Sequence, residues 1–321
     1  MVGKPRRASN LLLLLGPSMR DFASCFGNHA VKVSDGSSTG SSSGSNSSVV
    51  ADRAGSALTA VSCLYRARLS GLKDVLLRVT WSKANAAPSL SLAVDDDPRS
   101  ALPWELNAVD SQSMTEKRGT RSYFSGRRAI CLHWDTSAAR YESGPEPVDG
   151  FYVVVVVESE LALLLGDLSR DFVNKLEGAL PRAHCSTICR REQVLGHARH
   201  STRARFCDAG SDHEITIRCT GYGRDANDSE LSVSVDKKAV VHVRSLRWNF
   251  RGNQTIFIDG SPVDVMWDVH DWWFADSRGC AVFMFRTRSA LESRLWLEEA
   301  ALDAEQGTSG FSLVIQAFRS P

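Results

Sequence analysis

The chain has 321 residues, and its 38 Lys and Arg stand against 37 Asp and Glu, a formal net charge of +1. Hydrophobic residues make up 43% and charged residues 23%, ordinary globular proportions. The balanced charge argues against a polyanion or a membrane surface recognised through the field of the whole protein. No stretch approaches the ~18 consecutive apolar residues of a membrane-spanning helix.

In chain order, Lys4, Arg6 and Arg7 precede the apolar run Leu11–Leu15. This resembles an export signal, but the run is shorter than the ~7–15 apolar residues such a signal uses. Residues from Ser34 to Ser48 are almost wholly Ser, Gly, Asn, Thr and Asp. A stretch of that composition buries too little apolar surface to offset its ordering entropy, so it reads as a flexible linker. Residues 1–56 are therefore expected to be an extension and linker, with the ordered protein following. The eight cysteines are sparse, and several lie in apolar alternating runs. They read as reduced thiols in cytoplasm or nucleus rather than as a disulfide framework.

From Ala57 onward the pattern is that of strands. Val75, Leu77, Val79 and Trp81 alternate with their neighbours, as do Leu90, Leu92 and Val94, and Ile130, Leu132 and Trp134. Period-two alternation puts one set inward and the other outward. Gly, Pro, Asp and Asn bound these runs, and Ser143–Gly150 reads as a loop. Val153–Val157 reads as a buried strand. Two stretches carry helical spacing, Asp167–Leu180 and Ser289–Glu305, and Pro181 blocks continuation of the first.

The two halves echo each other in order. Tyr65–Leu69 matches Thr202–Phe206, Asp74–Thr80 matches His213–Cys219, and Leu90–Asp95 matches Leu231–Asp236. Arg118-Gly119 precedes Trp134-Asp135, and Arg251-Gly252 precedes Trp267-Asp268, at the same spacing. Gly150-Phe-Tyr-Val-Val matches Gly279-Cys-Ala-Val-Phe, and Phe311–Gln316 is set against Cys185–Arg190. The expected fold is mainly β: two tandem, duplicated antiparallel modules, sandwich or barrel-like, each with one helix. Module 1 would span 57–182 and module 2 would span 183–321. Alternation leaves open whether they form separate domains or one merged sheet.

Several motifs also resemble a known family. They include Met19-Arg-Asp-Phe, Cys63-Leu-Tyr-Arg-Ala-Arg-Leu, Ser143-Gly-Pro-Glu-Pro-Val, Trp248-Asn-Phe-Arg-Gly-Asn-Gln-Thr-Ile and Gly260-Ser-Pro-Val-Asp-Val-Met-Trp-Asp-Val-His. Together they resemble DUF868, a plant protein family of unknown function, over nearly everything from Met19 on. That resemblance implies no activity and no site residue. It implies that residues 1–18 are an upstream extension.

Four clusters invite a chemical reading. Cys185, Cys189, His197 and His200 have spacing that tetrahedral zinc tolerates, though a connection with partly buried thiols explains them as well. Asp268, His270 and Asp271 put carboxylates beside an imidazole, the pairing of general acid–base work. A turn held by side-chain-to-backbone hydrogen bonds is the plainer reading of that stretch. Asp95, Asp96 and Asp97 suggest calcium, but the matching loop, Asp236-Lys-Lys238, lacks the acidity. Arginines 199, 203, 205, 218, 244, 247 and 251, with Trp248 and Phe250, suggest a nucleic-acid track. The balanced charge argues against it, and arginines on strands commonly pair across a sheet with carboxylates.

No nucleophile–base pair and no phosphate loop is visible. The sequence therefore favours a non-enzymatic protein-interaction module without a cofactor, with protein rather than nucleic acid as its partner. Behind it stand a carrier of a small apolar ligand or lipid in a β-module cavity, and an enzyme of unknown class using Asp268 and His270. The carrier reading predicts a cavity of roughly 300–1,000 Å³.

Overall fold

In a strand, alternation becomes structure when one face finds an apolar partner layer. The computed structural model shows that arrangement twice. It describes residues 57–71, 73–84, 87–95, 112–176, 180–196, 199–207, 210–221, 229–274, 279–288 and 310–318, all within one compact unit, Ser56–Pro321. The expectations placed on Leu11–Leu15, Ser34–Ser48, Asp96, Asp97, His197 and the second helix, Ser289–Glu305, lie outside the described residues.

The protein is mainly β, with nineteen strands and two short helices among the described residues. The strands are β1 (Ala57–Leu69), β2 (Lys73–Ala84), β3 (Ala87–Asp95), β4 (Gln112–Met114), β5 (Arg118–Ser125), β6 (Arg128–Asp135), β7 (Arg140–Tyr141) and β8 (Pro147–Asp149). They continue with β9 (Tyr152–Val157), β10 (Glu160–Leu165), β11 (His184–Leu195), β12 (Arg199–Arg205), β13 (Asp212–Thr220) and β14 (Glu230–Val235). The last five are β15 (Lys238–Arg244), β16 (Arg251–Ile258), β17 (Ser261–Asp268), β18 (Cys280–Thr287) and β19 (Ser312–Phe318). Helix α1 is Ser169–Lys175, inside the first expected helix, and α2 is His270–Phe274. The second was expected as a turn.

One nine-stranded sheet runs β16-β17-β18-β19-β11-β1-β2-β3-β4, and two four-stranded sheets run β10-β9-β6-β5 and β12-β13-β14-β15. None of the three closes into a barrel. All ladders are antiparallel except that of β11 with β19, which is parallel from Cys189/Ser312 to Leu195/Phe318. That pairing departs from the all-antiparallel expectation. It is possible because residues 196–311 separate the two strands, far more than a parallel crossover requires.

Each four-stranded sheet covers one end of the long one. Leu77, Val79 and Trp81 of β2 pack with Ile130, Leu132 and Trp134 of β6 and with Val153, Val155 and Val157 of β9. Ile215, Ile217, Leu231 and Val233 of β13 and β14 pack with Val263, Val265, Trp267, Phe283 and Phe285 of β17 and β18. Burying one such side chain contributes about 1.5–3 kcal/mol, so each core is sizeable. Strand β11 is the middle of the long sheet. It pairs antiparallel with β1 on one side and parallel with β19 on the other.

Candidate functional site

Where the chain commits its polar groups decides what remains for chemistry. Asp268 ends β17 and is buried, although alternation puts it on the outer face. Its Oδ2 accepts from Arg251 Nε at 3.0 Å and its Oδ1 from the His270 amide at 3.0 Å. The carboxylate thus starts α2 and answers a guanidinium at once. His270 Nδ1 lies 3.1 Å from Asp271 Oδ1, and its ring packs on Phe250 and Phe274 at 5.3 and 4.9 Å. Arg251 in turn lies over the Phe250 ring at 5.7 Å. The three proposed acid–base residues are therefore neighbours, but Asp268 is engaged at both oxygens.

The proposed zinc ligands divide differently. Cys185 and Cys189 lie on β11, exposed and part-buried respectively. His200, on β12, turns to Glu192, with its Nε2 at 2.8 Å from Oε2. Among the described residues no group of three or more His, Cys, Asp or Glu is arranged to hold a metal. The arginines scatter: Arg205 pairs with Asp212 at 3.1 Å, and Arg203 sits opposite Glu214 in register.

Sequence reasoning missed Glu192. Its side chain is fully buried. Oε1 accepts from Arg190 Nε at 2.7 Å and from Thr202 Oγ1 at 2.6 Å, while Oε2 faces His200. Arg190 also reaches Glu146 at 2.9 Å and contacts the Cys63 sulfur at 3.6 Å. The network ties β1, the 143–150 loop, β11 and β12 together. Burial acts against the Glu192 charge, yet the His200 hydrogen bond and the Arg190 charge hold its carboxyl below the usual range. Burial pushes the neighbouring Cys63 thiol up to about 11, so it is an inert thiol at neutral pH. The signal was available: Glu192 is two residues from the buried Val194, on the core-facing period. The depression lined by His200, Trp272 and Phe283 measures about 10 Å³, the room of a single water.

A second missed cluster joins two turns. His213 Nδ1 lies 2.6 Å from Asp236 Oδ2 and Nε2 lies 3.0 Å from Asp259 Oδ2. Both aspartates have positive φ, 49° and 50°, in the β14–β15 and β16–β17 turns. Bonds from Asp259 and Asp236 raise the His213 pKa above its ordinary 6.5. An imidazolium so placed bridges a four-stranded sheet to the nine-stranded one.

Beside β10 lies a cleft of about 490 Å³. One wall is β10, Leu161 to Leu165, and the other includes Tyr65, Ala183, Cys185 and Thr187. The chain opens it by starting a strand pairing and abandoning it. Leu161 donates to Pro181 O at 2.8 Å and accepts from Ala183 N at 3.0 Å, forming a parallel bridge with Arg182. Beyond Ala183 the backbone turns away as β11 and joins β1. Gly166, at φ +86°, closes the far end: a Cβ there would fall 2.1 Å from Phe151 O. Arg170 and Arg182 are exposed at the cleft, and among the described residues no Asp or Glu lines it. The nearby Glu160 carboxylate is spent on the Ser70 amide and hydroxyl at 2.9–3.0 Å.

The fold is mainly β, with a cleft beside the edge strand β10. A family model described as plant protein of unknown function (DUF868) matches residues 56–319, and the chain belongs to that family. No curated protein and no solved structure matches it. No helix among the described residues is long and apolar enough to cross a membrane.

Proposed function

We propose that this chain is a non-enzymatic protein-interaction module built from two copies of one ancestral β unit, at 57–182 and 183–321. The observation that carries the binding role is the cleft beside β10, rimmed by the exposed Arg170, Arg182 and Thr187, because a recess of that size admits a partner's anchoring side chains. The engagement of Asp268 and Glu192 at both oxygens supports binding over catalysis. The seven described cysteines are free thiols, which suits cytoplasm or nucleus.

Support for the duplication comes from matching detail. The Trp134 indole donates to Glu116 O at 2.9 Å and the Trp267 indole to Asn249 O at 3.0 Å. Thr136 N donates to Lys117 O as Val269 N donates to Phe250 O. Asp135 accepts from the Ser137 amide as Asp268 does from the His270 amide.

The test is a photo-crosslinking residue placed at Thr187 in the cleft and, separately, at Ser201 on the outer face of β12, in plant cells. A discrete protein adduct from at least one position is expected. A protein that forms no adduct at either position, and that purifies with a stoichiometric lipid, overturns the reading in favour of an apolar carrier.

A further inference from the structure

We propose that Cys131 is a site of reversible oxidation, a thiol that hydrogen peroxide converts to a sulfenic acid with His133 as its proton acceptor. The proposal stands apart from the cleft and from the interaction-module reading.

The site follows from the register of one hairpin. Ile130, Leu132 and Trp134 of β6 face the core, so Cys131 and His133, between them in the alternation, point to the outer face of the sheet β10-β9-β6-β5. Ser122 and Thr120 of β5 stand directly across from them. Cys131 Sγ lies 3.2 Å from His133 Nε2 and accepts from the Ser122 hydroxyl at 3.3 Å. His133 Nδ1 lies 2.9 Å from Thr120 Oγ1. With Nδ1 donating to that hydroxyl, Nε2 is left to accept the thiol proton. Nucleophile, base and a third group that orients the base are the parts of an activated cysteine.

The surroundings leave the sulfur within reach. On one side the Phe172 ring of α1 lies 5.1 Å from that of His133 and 4.4 Å from that of Tyr152, and Cys131 packs against the apolar patch that includes Val154 and Val156. On the other side Ser122 and Thr120 are exposed, and Cys131 itself is part-buried. Such an opening admits a small oxidant. Burial lowers the His133 pKa below its ordinary 6.5, so the imidazole is neutral and able to take a proton at neutral pH. Burial raises the thiols of Cys63, Cys189, Cys219 and Cys280, which keeps them protonated and slow to react. The β16–β17 hairpin has the same strand lengths, but there Thr255 faces Asp264 and Asn253 faces Met266. The scaffold therefore does not require a thiol and an imidazole at these places.

The His133 imidazole takes the thiol proton, and the thiolate attacks one peroxide oxygen. The S–O bond forms as the O–O bond breaks. Sulfur gives up two electrons, and the departing hydroxide takes the imidazolium proton and leaves as water. Among the described residues no other cysteine lies on this sheet, so the thiol is restored from outside. A small thiol forms a mixed disulfide with loss of water, and a second releases Cys131.

The experiment treats the reduced, purified full chain with hydrogen peroxide in the presence of dimedone, which traps sulfenic acids, and follows each cysteine peptide by mass spectrometry. The adduct is expected on Cys131 at least about tenfold faster than on the exposed Cys185. His133→Gln should slow Cys131 about tenfold or more, the loss of a general base, while leaving the Cys185 rate and the melting temperature near their natural values. Without dimedone, glutathione should return Cys131 to the free thiol. Cys131 reacting no faster than Cys185 overturns the proposal, and that comparison needs no variant. So does an unchanged Cys131 rate in folded His133→Gln protein. A permanent sulfinic or sulfonic mass after glutathione overturns the reversibility.

Discussion

Gly252 lies directly beneath the indole of Trp267: a methyl group on it would fall 2.1 Å from Cζ2, far inside van der Waals contact. The two residues face each other across β16 and β17. Gly119 stands to Trp134 in the same way across β5 and β6, at 2.7 Å. Gly252→Ala and Gly119→Ala are each expected to destabilise by about 1–3 kcal/mol, the usual cost of overpacking. Urea unfolding measures it. In a Trp267→Phe background the Gly252→Ala cost should shrink, because the smaller ring makes room. An unchanged cost would place the strain in the backbone instead.

Removing Glu192 should be more damaging. It is fully buried and answers Arg190, His200 and Thr202. Glu192→Ala leaves the half-buried Arg190 guanidinium with Glu146 as its remaining carboxylate, so the cost should lie toward the lower end of the about 3–5 kcal/mol for breaking a buried pair from one side. Arg190→Met/Glu192→Met should regain much of the loss, since the charges leave together. Thermal melts of the single and double variants decide this. A double variant as weak as the sum of its singles would count against coupling.

The His213 bridge has a pH signature of defined sign. Its folded pKa is raised above the ordinary 6.5. Protonation therefore favours the folded state, and this stabilisation is complete below 6.5. It fades as pH rises through the raised folded value. Melting temperature should fall over that interval in the natural protein, and His213→Gln should flatten the fall. The variant should also be the less stable of the two at mildly acidic pH. A His213→Gln profile parallel to that of the natural protein would mean that other groups carry the dependence.

Phe124 and Phe257 occupy matching places near the ends of β5 and β16, 76% and 74% exposed. Replacing both with Ser should change stability by less than about 0.5 kcal/mol, as surface substitutions usually do. It should also raise solubility, since both lie on strands at sheet edges where exposed apolar side chains invite association. Sedimentation at increasing concentration reads the second effect. A large loss of stability would show that these rings are structural.

Alternation made β2, β3 and β6 legible, because it is a local signal carried by residues two apart. The placement of β11 was not legible, because its partners β1 and β19 lie more than a hundred residues away on either side. The cleft escaped for a related reason. It arises where residues 181–183 meet Leu161 and then part from it, and no periodicity within either segment records that meeting. The β17–α2 junction was half legible: side-chain-to-backbone hydrogen bonds were expected over Asp268–Asp271, and Asp268 accepts one from the His270 amide, but the chain winds on as a short helix rather than a turn. The His213 bridge needed two turns from different sheets to converge, something no single stretch of sequence contains.

The position of β11 has a consequence for biosynthesis. Its two neighbours are the first and last strands of the described unit, so as the chain leaves the ribosome it can settle against β1 early but against β19 only after residue 318 has emerged. Until then one long edge in the middle of the molecule lies open. Such a nascent intermediate is sticky, and the route to the finished sheet is slow because its contacts are distant in sequence. Truncations that remove β19 should therefore yield chains that depend on chaperones, whatever they leave intact upstream.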